Sequence, residues 1–203
     1  MDYTASVRKY CNDHAGEILD VAYVHEQSFA VVVYRTFLKI LKRLEEDGVI
    51  TRIAKGVYLI SRNDGRENDV DAAICDFYVG KIDGMIVGYK LYNELGVSDY
   101  DDGHIEIYTN RLPSGKNKNI GKYHLTGANL FFTSEVKRVI TLLELIENSN
   151  RIVNRSLLSY AGARQKLAGS CSEELLQEIT KTIPYQTGTL AVLRRTGGNV
   201  DIV

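Results

Sequence analysis

Six cations and one hydroxyl in a short stretch set the chemistry: Arg35, Thr36, Lys39, Lys42 and Arg43 in "RTFLKILKR", with Arg52 and Lys55 in "ITRIAKG". Guanidinium and ammonium groups at i, i+4 and i+7/i+8 fall on one side of a helix. There they can line phosphates or meet base edges in a major groove. Arg35 lies nearest the N-terminal side, where a guanidinium could bond guanine bidentately; Thr36, Lys39, Lys42 and Arg43 would add contacts. Glu46 shares the arc, so the C-terminal end of such a helix should tilt away from a duplex. Arg52 and Lys55 sit at and beside a short turn that could touch neighbouring phosphates.

The elements that must hold these groups follow from periodicity. Val33, Phe37, Ile40, Leu41 and Leu44 form one apolar stripe at about 100° per residue, opposite the cations. Asp47-Gly48 stops that helix, with Gly48 at the left-handed position after the cap. "VITRI" and "GVYLI" predict two strands joined at "AKG", spanning Ile50–Ser61. Upstream, a helix is expected over Thr4–Asn12, a strand over Glu17–Val21 and a short helix over Val21–Glu26, with Ser28 as the N-cap of the basic helix. Helix, strand, helix, helix, hairpin is the order of a winged helix-turn-helix.

The polar stretch 63–71 reads as a linker between a domain at 1–62 and a second at 63–203. The second half predicts a short helix closed by Gly96, a strand in "HIEIYTN" and a basic loop or hairpin tip over "RLPSGKNKNIGK". Beyond these come a strand in "YHLTGANLFFT" and a helix over Ser134–Asn148 capped by Ser134. The tail from Arg155 reads as helical pieces. The fold class expected is α+β: a winged helix-turn-helix followed by a mixed α/β domain.

Length and composition permit one large domain or two small ones, each able to bury a core: 203 residues, 44% hydrophobic, 25% charged, formal net charge −1. Charge is arranged in blocks. Residues 31–62 carry seven Lys/Arg against three Asp/Glu, whereas residues 63–110 carry three against eleven. A basic face suffices for nucleic acid even when the whole chain is not basic. No apolar run reaches membrane-span length, and the N-terminal "MDYTASVRKYCNDH" has no signal-type apolar stretch. Three scattered cysteines favour neither disulfides nor zinc. A cytoplasmic protein without membrane contact is expected.

Other chemistries find less support. Arg111, Lys116, Lys118 and Lys122 form a second basic set, suited to phosphate or to a solvated loop. "GKNKNIGKY" has five residues between its glycines where a phosphate-binding loop needs four, and Tyr123 stands where Ser or Thr would hold magnesium. Asp99, Asp101 and Asp102 near Glu106, and Asp69 near Asp71, offer oxygens for a divalent metal, and a nucleotidyltransferase-type enzyme would use Asp69/Asp71 or Asp99/Asp101 with magnesium, but "DYDDGHIE" lacks calcium-loop spacing. His14, His25, His104 and His124 form no HxH or HExxH pair, and there is no GxSxG. No catalytic residue, cofactor or metal is expected.

"FLKILKRLEEDGVITRIAKGVYLISR" resembles the helix–Gly–hairpin signature of AbiEi-type antitoxins and related winged-helix transcriptional regulators. "GYKLYNELGV", "HIEIYTN" and "LTGANLFFTSEVKRVITLLELIEN" resemble later segments of that family, so the likeness spans roughly residues 5–150. It implies a bacterial type IV toxin–antitoxin protein whose N-terminal domain represses its own operon and whose C-terminal domain counters a nucleotidyltransferase toxin. By position, Arg35, Thr36, Lys39, Lys42 and Arg43 fall on the recognition helix, and Arg52 and Lys55 on the wing. The implied partners are double-stranded operator DNA, with two copies on an inverted repeat, and the toxin. The segment between Val21 and Tyr34 is longer than in the family. The alternative is a protein-interaction module in which the acidic region 63–110 docks a basic toxin without DNA binding.

Overall fold

A computed structural model describes residues 2–62, 68–169 and 171–197 of the chain. The protein is α+β, and it divides into two compact units, residues 1–77 and 78–203.

The first unit begins with α1 (Tyr3–Asp13), whose N-terminus is held by the Asp2 carboxylate accepting from the Thr4 and Ala5 amides. β1 (Ile18–Asp20) leads into α2 (Val21–Ser28), and the buried Asp20 caps that helix through the Ala22 and Tyr23 amides. α3 (Tyr34–Glu46) follows, then β2 (Ile50–Ala54) and β3 (Val57–Ile60). The sheet order is β1-β3-β2, antiparallel throughout, with Ile18 opposite Leu59 and Ile50 opposite Ile60. Phe37, Ile40, Leu41 and Leu44 turn inward from α3 onto Val7, Cys11, Leu19 and Val24, so three helices and the sheet share one core.

The end of α3 explains how a helix becomes a hairpin in so few residues. The Gly48 amide donates to the Glu45 carbonyl (3.0 Å) and the Val49 amide to the Leu44 carbonyl (2.9 Å). With Gly48 at φ +72°, this is a Schellman turn. Val49 packs on the same core as Leu44, which fixes the direction in which β2 departs.

In the second unit β4 (Gly84–Val87) runs into α5 (Gly88–Glu94), followed by β5 (Ile105–Thr109), β6 (Asn117–Ile120) and β7 (Tyr123–Gly127). The order is β4-β5-β7-β6, with β5 and β7 parallel and the other pairs antiparallel. The helix Ser134–Glu147, preceded by α4 at the unit boundary (Val70–Tyr78), is α6; α7 (Leu157–Leu167), α8 (Glu173–Thr182) and α9 (Thr187–Gly197) complete the described chain. α6 is buried almost all round, from Val136 through Ile146, against α5, β4 and the three later helices.

Several local expectations are corrected. Ser28 closes α2 and does not cap α3, which starts on Val33 with no side-chain cap. Thr133, and not Ser134, caps α6. The stretch 63–71 is not wholly linker: Asp69 caps α4 through the Ala72 amide (2.9 Å), and Val70 and Asp71 are helical. Residues 63–67 lie outside the described residues. The basic segment 111–122 is not all loop, since Asn117–Ile120 pair with β7 as an edge strand.

Gly127 marks a close approach of two backbones. Its amide donates to the Lys116 carbonyl (2.8 Å) and its carbonyl accepts from Gly115 (2.9 Å), while an added Cβ would collide with the Pro113 carbonyl. Because backbone cannot step aside cheaply, Gly127→Ala is expected to destabilise the second unit by about 1–3 kcal/mol. A urea titration should show a lower midpoint at unchanged slope; an unchanged midpoint would contradict the packing described.

Candidate nucleic-acid interface

α3 carries its polar residues on the side opposite its buried stripe. Arg35, Thr36, Lys39, Lys42 and Arg43 are all exposed, while Phe37, Ile40, Leu41 and Leu44 are buried. Arg52 on β2 and Lys55 in the turn between β2 and β3 are exposed as well. All seven residues named from the sequence therefore lie on the surface of the first unit, on two consecutive elements joined by the Schellman turn.

Their electrostatic commitments differ. Lys42 lies 3.8 Å from Glu46, an exposed i,i+4 pair that solvent screens heavily. The Arg52 guanidinium donates to the Ala54 carbonyl at 3.4 Å, on the inner side of the register shift between Arg52 and Ala54. Arg35, Lys39, Arg43 and Lys55 make no ion pair with any described residue. A cation without an internal partner has its full charge to offer an incoming anion. Arg8 pairs with Asp47, removing one carboxylate at the end of α3 from the balance.

The start of α3 adds two features that the charge pattern does not reveal. α1, α2 and α4 each begin on an aspartate cap, but Val33 at the head of α3 has no side-chain oxygen and is 71% exposed. The Thr36 and Phe37 amides return to the Val33 carbonyl (2.7 and 3.0 Å), and no described side chain caps the turn. An uncapped helix start favours an anion. Tyr34 and Leu38, 47% and 41% exposed, continue with Lys42 as an i, i+4, i+8 row beside the cations. Sequence reasoning passed over Tyr34 and Leu38, although their spacing from Lys42 was there to be read.

The turn between α2 and α3 is held by His25. Its Nε2–H donates to the Val32 carbonyl (2.8 Å), and its ring meets Tyr34 and Phe37 at centroid distances of 5.0 and 5.3 Å. Glu45, in the last turn of α3, faces Tyr58 of β3, and burial together with this carboxylate pushes the Tyr58 phenol upward.

The second basic set is dispersed. Arg111 is tied to Asp83 at 2.9 Å, with both side chains about three-quarters buried. Lys116 and Lys122 stand at opposite ends of β6, Lys122 over the Tyr123 ring at 5.4 Å, and Lys118 is half-buried within the strand. Four of the aspartates considered for metal are occupied locally: Asp101 and Asp102 accept from the Gly103 and His104 amides, Asp99 from Asn154, and Asp69 caps α4. Among the described residues no group of three His, Cys, Asp or Glu side chains is placed to hold a metal ion, and no helix is long and apolar enough to cross a membrane.

No family model matches this chain, and no curated protein is similar enough to it to count as a match.

Proposed function

We propose that the first unit is a winged helix-turn-helix that binds double-stranded operator DNA. α3 lies in the major groove and the β2–β3 hairpin acts as the wing on the adjacent phosphates. The observation that carries this reading is the coincidence of exposed, internally unpaired cations on α3 with a basic hairpin turn immediately after it. Tyr34 and Leu38 supply apolar surface of the kind that meets thymine methyl groups. The protein is, in this reading, an AbiEi-like antitoxin that represses its own operon, two copies binding an inverted repeat, while the second unit counters a nucleotidyltransferase toxin.

The test is a titration of the full chain against the DNA upstream of its own reading frame, repeated from low to physiological salt. Specific binding should exceed that to random duplex of equal length, and log Kd should rise linearly with log salt at about 0.9 per phosphate engaged. Equal affinity for both duplexes would remove operator recognition. Growth rescue on co-expression with a neighbouring nucleotidyltransferase tests the antitoxin half, and failure to rescue would leave a DNA-binding regulator alone.

A further inference from the structure

Glu144 is the acid least expected from its setting. It lies on α6 among leucines and isoleucines and is only 4% exposed. The Tyr108 and Tyr185 hydroxyls donate to its Oε1 (3.0 and 2.8 Å), and the Asn148 amide donates to Oε2 (3.2 Å). None of these donors is charged, and among the described residues no cation pairs with Glu144 or with Glu106. Buried carboxylates are ordinarily matched by a positive charge.

The two carboxylates line one cavity of about 100 Å³, together with Tyr89, Tyr92, Asn148 and Arg151. This volume suits a terminal group and falls well short of the several hundred Å³ of a site for a whole small-molecule ligand. The Tyr89 hydroxyl is already committed, donating to the Arg151 carbonyl and accepting from the Val153 amide, both at 3.2 Å. What Tyr89 has left to offer is its ring, which meets that of Tyr92 edge-on at 5.7 Å. Arg151 gives its backbone carbonyl to this network, and the residue as a whole is exposed. Two carboxylates, an amide and aromatic rings around a small space form a receptor for positive charge.

We propose that this cavity binds a single alkylammonium or guanidinium group, as carried by a lysine or arginine side chain or by a small aliphatic diamine. The inference concerns the second unit and does not depend on α3 binding DNA. It also gives a pH signature. Burial holds the Glu144 carboxyl above the ordinary range, and Glu106 of β5 and Glu147 of α6 push the same way, while the Tyr185 and Tyr108 hydroxyls pull it down. Tyr92 of α5 and Asn148 complete the surroundings. A cation favours the ionised form, so its entry releases a proton, and affinity climbs with pH until Glu144 is ionised without help.

The experiment is calorimetric titration of the full chain with Nα-acetyl-lysine methylamide, Nα-acetyl-arginine methylamide and putrescine, at about pH 5.5 and about pH 8. The neutral isostere Nα-acetyl-norleucine methylamide serves as control. Saturable binding of a cationic probe, tighter at the higher pH and absent with norleucine, is the expected result. Glu106→Gln, an exposed and structurally mild change, should weaken it about tenfold or more, with the melting curve unaltered; Glu144→Gln should flatten the pH dependence where it folds. An amino-acid probe binding more tightly than putrescine identifies a protein side chain as the natural occupant, and the reverse order a free diamine. Absence of saturation with all three cations, equal binding of norleucine, indifference to Glu106→Gln, or binding that emerges only in Arg151→Ala would each overturn the proposal.

Discussion

Arg35→Ala combined with Lys39→Ala is expected to weaken operator binding by about two orders of magnitude and to flatten its salt dependence. The estimate combines about 1–3 kcal/mol for a base-reading guanidinium with the loss of one phosphate contact, which lowers the salt slope by about 0.9. Neither side chain is held by an internal ion pair, so the fold has little to lose, and the melting curve should stay where it was. The two changes are separable. Arg35→Ala alone should relax discrimination at one base pair, whereas Lys39→Ala alone should weaken all duplexes alike. Lys42→Ala should do less, because part of its charge already answers Glu46. Fluorescence anisotropy at several salt concentrations checks each expectation. Unaltered Kd and slope in the double variant would take α3 out of the interface.

Phe37→Ala is expected to cost the first unit about 3–5 kcal/mol. Phe37 is fully buried, stacked on Phe29 at 5.3 Å and touched by the His25 ring, so its removal empties the centre of the core and loosens the turn that sets the start of α3. Against total stabilities of about 5–15 kcal/mol for whole domains, that loss is severe. Chemical denaturation should show an early transition for this unit while the second unit unfolds at its usual midpoint. A single transition at the original midpoint would mean that the cavity is refilled by neighbouring side chains.

The basic helix and hairpin were legible because each signal was local. The apolar stripe from Phe37 to Leu44 has helical period, Asp47-Gly48 supplies the Schellman turn, and Lys55-Gly56 joins two β-branched runs. The start of α3 was not legible, since Val33 gives no capping signal and Ser28, a plausible cap by type, ends the preceding helix. β6 escaped for a related reason: "NKNI" has one apolar residue and becomes a strand only by pairing with β7, as polar edge strands do. α4 was hidden by the polar stretch before it, although Asp69 marks its first turn. The six candidate cations and Thr36 could be named from spacing and type, but Tyr34 and Leu38 stood out only once their exposure was known. Glu144 was less accessible still. In sequence it is an ordinary acid on an amphipathic helix, and its donors Tyr108 and Tyr185 are distant in the chain.

The encirclement of α6 has a consequence for biosynthesis. Leu176, Ile179 and Leu193 belong to the same core as Ile140 and Leu143, so the segments that seal this helix are translated well after it. The ribosome must therefore deliver α9 before the apolar sides of α6 are shut away from solvent. During that interval the nascent polypeptide carries a sticky rod in need of shelter, while the first unit, encoded earlier, already has every strand and helix of its own core.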